Sequence, residues 1–281
     1  MAYTVYLQEY ISGNMEAFLV MKEWLSEIEE RFREALKNKD LHVWYQPQVD
    51  MRTGDPKGAE ALVRWQKQDG GLILPGFFVP FLERLELTVL LDTEVMRIVC
   101  RDICEARERG IPFGPVSVNL SGQNAGRTEI QEQLCRITEQ YGITQKELAF
   151  EITETVAEDD EEKMQRFADD LREDGYRIAM DDYGMGNSTL KLLQEIHFDI
   201  LKLDRHFVSR IGDPRADIIL ASTIGMAEKL KLEVVAEGVE TEEQIRFLVE
   251  HQCHFGQGYY YSEPLPKDRY IRWRKAYEEA V

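Results

Sequence analysis

The sequence predicts an α/β chain: a (β/α)₈ TIM-like barrel with an antiparallel first strand, plus an N-terminal helix. Three observations carry this reading. Eight short apolar segments lie between residues 42 and 257, and from the third onward helical stretches separate them. Nearly every segment ends in, or carries, a polar residue able to bind metal or move protons: Glu60, Asn119, Glu151, Asp181 with Asp182, Lys202, Glu237 and Gln257. A barrel of alternating strands and helices brings such scattered residues to one mouth. Finally, the link between the first two segments is too short to hold a crossover helix.

In chain order, residues 15–37 place Phe18, Met21, Leu25, Ile28, Phe32 and Leu36 at intervals of three and four, the seam of a helix. This stretch, with residues 1–40 as a whole, reads as an N-terminal helical segment before the barrel of residues 41–281, either packed on the barrel's outside or serving as a connecting or dimerising helix. Strands follow at 42–49 and 57–65, separated by the turn-rich 50–56. They form an antiparallel hairpin, because a parallel pair needs a connection of about a dozen residues. Further strands are expected at 115–119, 147–152, 177–181, 199–203, 233–236 and 254–257. With the hairpin these make eight, the number that closes a barrel.

The chain has 281 residues, 43% of them hydrophobic, enough for a large core. Its 52 acidic and 34 basic residues leave 18 net negative charges. That balance opposes loose binding to a DNA or RNA backbone or to an anionic membrane. A phosphate-bearing substrate therefore requires metal ions or a few chosen cations. Cys100, Cys104, Cys135 and Cys253 have neither zinc-ligand spacing nor the pattern of a disulfide framework, so free thiols in a reducing cytoplasm are expected. His251, Cys253 and His254 read as ordinary helix-end and core residues. No stretch reaches the roughly 18 apolar residues of a membrane span.

Glu60 alternates with apolar residues in a strand bound for the core, where a carboxylate is costly unless paired or bound to metal. Asp181 and Asp182 stand where an apolar strand turns into a glycine-permitted loop; they read either as a polar turn with helix-capping duty or as a pair whose repulsion a divalent cation relieves. Glu151 with Glu154, and Glu237 with Glu240, also follow apolar strands, and Thr241 is placed to cap the next helix. Lys202, inside Ile200-Leu201-Lys202-Leu203, either points into the barrel among carboxylates or snorkels to solvent. The amide oxygens of Asn119 and Gln257 suit hard cations such as Mg²⁺ or Mn²⁺. Oxygen donors without a His or Cys cluster exclude a typical zinc site.

Tyr45-Gln46-Pro47, Glu60-Ala61-Leu62, Asn119-Leu120-Ser121, Glu151-Ile152-Thr153-Glu154, Asp181-Asp182-Tyr183-Gly184, Lys202-Leu203-Asp204, Glu237-Gly238-Val239-Glu240 and Gln257-Gly258 occur in this order. Over residues 41–270 the chain resembles the EAL family of cyclic di-GMP phosphodiesterases. The resemblance implies metal-dependent hydrolysis of one phosphodiester bond of cyclic di-GMP to linear pGpG. It implies two Mg²⁺ or Mn²⁺ ions, one held by Glu60, Asn119, Glu151 and Asp181, the other by Asp181, Asp182 and Glu237. Catalytic roles fall to Glu60, Lys202 and Glu237, with either Lys202 or Glu237 as the general base. Gln46, Leu62, Arg64, Glu240 and Gln257 are expected on the substrate side, and Glu154 is expected to brace the loop after the fifth strand. That loop, 183–190, departs from the family pattern at four places, which bears on rate and regulation more than on competence. A homodimer, an upstream sensory or GGDEF domain in a longer parent, and a cytoplasmic location are further expectations. The alternative function is a non-catalytic cyclic di-GMP receptor; its known examples usually lack a metal ligand, and this chain lacks none.

Overall fold

The computed structural model describes residues 15–67, 70–124, 127–153, 161–184 and 189–278, with side chains from residue 26 onward. The chain divides into two compact units: residues up to 42 together with 64–88, and residues 43–63 together with 89 onward.

In the first unit the N-terminal helix α1 spans Met15–Asn38, as the apolar spacing predicts. Phe32 and Ala35 are buried and Ile28 and Leu36 half-buried, so the described part of the seam faces protein. The Phe32 ring meets Trp65 edge-on at 6.0 Å, and Trp65 meets Phe78 at 5.5 Å, within a short helix α2 at Pro75–Arg84. A two-residue strand β3, Leu72–Ile73, pairs antiparallel with the end of β2, Pro56–Gln66.

The second unit holds the barrel. Its strands are β1 (Leu41–Asp50), β2, β4 (Val116–Leu120), β5 (Leu148–Thr153), β6 (Arg177–Tyr183), β7 (Ile200–Leu203), β8 (Glu233–Ala236) and β9 (Phe255–Gly256). Strands β2 and β4 to β9 run parallel in that order. β1 runs antiparallel to β9 and also bonds β2, which closes the barrel. The hairpin expected from the short link is present. Each expected strand lies within two residues of its observed ends. A tenth strand, Leu265–Pro266, pairs with β1 as well.

Alternation along the strands sorts their residues into layers. Ala149, Ala179, Ile200 and Val235 pack with Phe255 as an apolar floor inside the barrel. Two residues further along the same strands, on the same face, come Glu151, Asp181, Lys202, Glu237 and Gln257. The polar residues thus form the next layer of the interior, at the strands' C-terminal ends.

On the outer face of β1, Tyr45 packs against Phe113 and Tyr270, with ring centroids 4.9 and 5.4 Å away. Its hydroxyl donates to Asp102 Oδ2 at 2.8 Å, in helix α3 (Thr88–Glu108). Lys267 Nζ donates to the other oxygen of Asp102 at 3.1 Å and to Glu105 at 2.8 Å. These contacts fasten α3 and the C-terminal helix, Lys267–Glu278, to the barrel wall. No helix among the described residues is long and apolar enough to cross a membrane. The four cysteines are free thiols, with Cys100 and Cys253 buried.

Candidate active site

Lys202 is the centre of the polar layer. Its side chain is 1% exposed, and its Nζ lies 2.6 Å from Glu151, 2.8 Å from Asp181, 2.8 Å from Glu237 and 3.3 Å from Glu60. One ammonium therefore faces four carboxylates. Burial alone would lower the Lys202 pKa, but the charges of Asp181, Glu151, Glu237 and Glu60 outweigh it and raise it well above the ordinary lysine range. Burial pushes Glu151 well up, against the attraction of Lys202 and with the repulsion of Glu60 and Asp181 adding to it. Glu237 is pushed up to about 8 for the same reasons. In both carboxyls burial is the larger cause, and the single ammonium of Lys202 offsets it only in part.

Two carboxylate oxygens, Glu151 Oε1 and Asp181 Oδ1, are buried without a hydrogen-bond partner. Asp181 Oδ1 is within ion-pair distance of Lys202 but not in hydrogen-bond geometry. A buried carboxylate oxygen without a partner, as Glu151 Oε1 is, is costly unless a cation completes it. Glu60, Glu151 and Asp181 offer oxygens within 4.8 Å of one another, and so do Asp181, Asp182 and Glu237. Asp181 belongs to both groups. All these donors are carboxylate oxygens, the chemistry that Mg²⁺ and Mn²⁺ prefer, so the residues fit the metals implied by the sequence.

Neighbours in a regular strand point to opposite faces, so Asp181 and Asp182 could not converge without a distortion. The register of β6 against β7 shifts between Met180 and Tyr183, and Asp182 has φ 54°. This bulge turns the second carboxylate toward the mouth. Asp182 is exposed there; lost hydration and the adjacent Asp181 push its pKa up to about 6. Gly184 follows with φ 99°, and a Cβ on it would run into the Phe207 ring. Only glycine fits that turn.

Amide side chains hold the carboxylates from the sides. Asn119 Nδ2 donates to Glu60 at 3.1 Å. Gln257 Nε2 donates to Glu60 at 2.6 Å and to Glu237 at 3.1 Å. Gln257 Oε1 is taken by Gln48 Nε2 at 3.0 Å, so its oxygen serves a protein donor rather than a cation. Gln46 is buried and donates to the Ser262 carbonyl at 2.6 Å. Leu62 is half-buried and Arg64 buried, two and four residues along β2 from Glu60. Glu240 is exposed, its backbone N–H bonded to Gln244 Oε1, and Thr241 caps the helix Glu242–Glu250 as expected. Glu154 and residues 185–188 lie outside the described residues.

Sequence reasoning missed two residues of the site's surroundings. Gln48 had a signal, since it alternates with Gln46 on one face of β1. Asp92 had none: it sits within the first turns of α3, yet its Oδ2 accepts from the Ser121 N–H at 3.0 Å and from Asn124 at 2.6 Å, fixing the loop after β4.

The profile described as EAL domain matches residues 29–264. The probable cyclic di-GMP phosphodiesterase PdeB of Escherichia coli (strain K12) is 35% identical over 243 residues, 86% of this chain and 46% of PdeB. Cyclic di-GMP phosphodiesterase NbdA of Pseudomonas aeruginosa is 36% identical over 252 residues, 89% of this chain and 32% of NbdA. Among solved structures, the EAL enzyme Bd1971 with cAMP and cyclic-di-GMP bound superposes with a TM-score of 0.83 at 26% identity, over 95% of this chain and 72% of that chain. The PaMucR phosphodiesterase in complex with c-di-GMP gives 0.79 at 30% identity, over 86% and 99% of the two chains. The chain spans less than half the length of these curated relatives. With most of its length matched by one family profile and a third of its residues shared with the relatives, the chain belongs to the EAL domain family.

Proposed function

We propose that this domain hydrolyses cyclic di-GMP to linear pGpG with two divalent cations, Mg²⁺ or Mn²⁺. The observation that carries the proposal is the pair of carboxylate groups that share Asp181 beside a buried lysine. Glu60, Asn119, Glu151 and Asp181 would hold one ion, and Asp181, Asp182 and Glu237 the other. When bound, such ions make water a stronger nucleophile and stabilise charge on the phosphate and the leaving oxygen.

The chain's own residues do the rest. Lys202 Nζ and Glu237 Oε1, 2.8 Å apart, are the proton-handling pair at the attacking water. Lys202 also offsets the carboxylates, which lets an anionic substrate enter a chain of net charge −18. Gln257 fixes the spacing of Glu60 and Glu237 with one amide group. Gln46 and Arg64 orient the nucleotide, the guanidinium as a forked donor to phosphate oxygens. The relatives PdeB and NbdA, named for the same activity, support the reading.

The test is turnover of cyclic di-GMP by the purified chain with Mn²⁺, followed by chromatography for pGpG, beside the Glu60→Ala variant. Product from the wild type and none from the variant is expected. Tight binding of cyclic di-GMP by both without product would replace this reading with that of a receptor.

A further inference from the structure

The geometry points to Gln48 as a positioning residue: from the antiparallel strand it fixes the amide orientation of Gln257 and, through it, the spacing of Glu60 and Glu237. The inference rests on the two-metal reading above and adds a residue to it.

The register of β1 against β9 sets Val49 opposite Gly256 and Asp50 opposite Phe255, which places Gln48 opposite Gln257 across the pair. Directly opposed side chains on one face of an antiparallel pair touch. Here both are buried, at 8% and 6% exposure, and Gln48 Nε2 donates to Gln257 Oε1 at 3.0 Å. The Gln257 backbone is held on both sides, its N–H donating to the Ala236 carbonyl at 2.8 Å and its carbonyl accepting from the Val239 N–H at 3.0 Å. The remaining freedom of Gln257 is rotation of its side chain, and a primary amide has two nearly isosteric orientations.

Those orientations differ in effect. As observed, the NH₂ group faces Glu60 and Glu237, one carboxylate from each candidate metal group. The flipped amide would set its oxygen against both carboxylates. It would also turn two N–H₂ groups, those of Gln48 and Gln257, toward each other. With Gln48 as donor the observed orientation satisfies both the oxygen and the NH₂ group of Gln257. Without it the Gln257 oxygen is a buried acceptor with no donor, and the amide is free to swing away. Outer partners that orient metal ligands in this way typically contribute about 10-fold or more in metal affinity.

The test is direct Mn²⁺ titration of the metal-free chain by calorimetry, without nucleotide, for the wild type, Gln48→Met, Gln257→Leu and the double variant. Methionine keeps the length of Gln48 and removes its donor. A thermal melt of each metal-free protein verifies the fold. The expected result is about a 10-fold loss of Mn²⁺ affinity in Gln48→Met, and no further loss when that change is added to Gln257→Leu, because a residue that acts only through Gln257 has nothing left to act on. Wild-type affinity in Gln48→Met, or losses that add in the double variant, would overturn the assignment of Gln48 alone. A wild type that takes up no Mn²⁺ would overturn the two-metal reading and this inference with it.

Discussion

The barrel wall carries a polar cluster on each of its faces, and the two differ in burial and charge balance: outside only Tyr45 and Asp102 are buried while Arg101, Glu105 and Lys267 reach solvent, whereas the inner cluster lies within the barrel. Outside, Asp102 and Glu105 meet Lys267 at 3.1 and 2.8 Å and Arg101 at 3.7 and 3.9 Å: two anions, two cations. Tyr45 supplies a further hydrogen bond to Asp102. Inside, four carboxylates share the single ammonium of Lys202, and two of their buried oxygens lack a hydrogen bond. A buried polar network that is satisfied specifies structure, whereas one left short of cations is unfinished until something binds. The outer cluster holds helices to the barrel. The inner one is the cluster to which the proposed function assigns divalent cations.

The comparison is sharpest when one member is removed from each side. Lys202→Met leaves the inner carboxylates facing one another, and kcat for cyclic di-GMP should fall by roughly 10²- to 10⁴-fold, the usual scale for loss of a proton-handling group. Its metal-free melting temperature should fall as well and recover in part with Mn²⁺. Tyr45→Phe removes one hydrogen bond from the outer cluster. Denaturant unfolding should show a loss of about 1–3 kcal/mol, with kcat of the folded protein unchanged. A large kcat effect of Tyr45→Phe would break the distinction between the two faces.

A smaller effect separates the faces by pH. Glu237, ordinarily near 4.5, is raised to about 8, and Asp182, ordinarily near 3.8, to about 6. For an acid whose folded pKa is raised, the unfolded chain releases its proton first, so stability is lost as pH rises. The metal-free melting temperature should therefore decline between pH 4 and 8. Lys202 adds no slope in that window, since its raised pKa keeps it charged in both states. Burial also raises Asp102, but Mn²⁺ leaves that outer contribution alone. Melts in EDTA and in Mn²⁺ across this range should diverge as pH rises, with the Mn²⁺ curve higher. Parallel curves would place the titrating groups outside the metal cluster.

Much of this architecture was legible because a parallel barrel writes its mouth into the sequence. Each inner strand is a short apolar run that ends in a polar residue, so Glu151, Asp181, Lys202, Glu237 and Gln257 announce both the strand and the site. The antiparallel start followed from one short link, 50–56. What stayed hidden depends on three-dimensional detail. Strands β3 and β10 are two residues long and have no periodicity to read. The convergence of Asp181 and Asp182 relies on a bulge and a positive φ that neither residue signals. The grouping of 64–88 with the N-terminal helix comes from packing such as Phe32 on Trp65, which contact spacing within the sequence does not encode. The role of Gln48 required the register of β1 against β9.

The most direct test of the central claim, that the inner cluster is completed by two divalent cations sharing Asp181, is anomalous diffraction from crystals grown with Mn²⁺. The account predicts two manganese peaks roughly 3.5–4 Å apart, one beside Glu60, Glu151 and Asp181, the other beside Asp181, Asp182 and Glu237. A cluster with no peak, or with its carboxylates satisfied by Lys202 alone at saturating Mn²⁺, would contradict it.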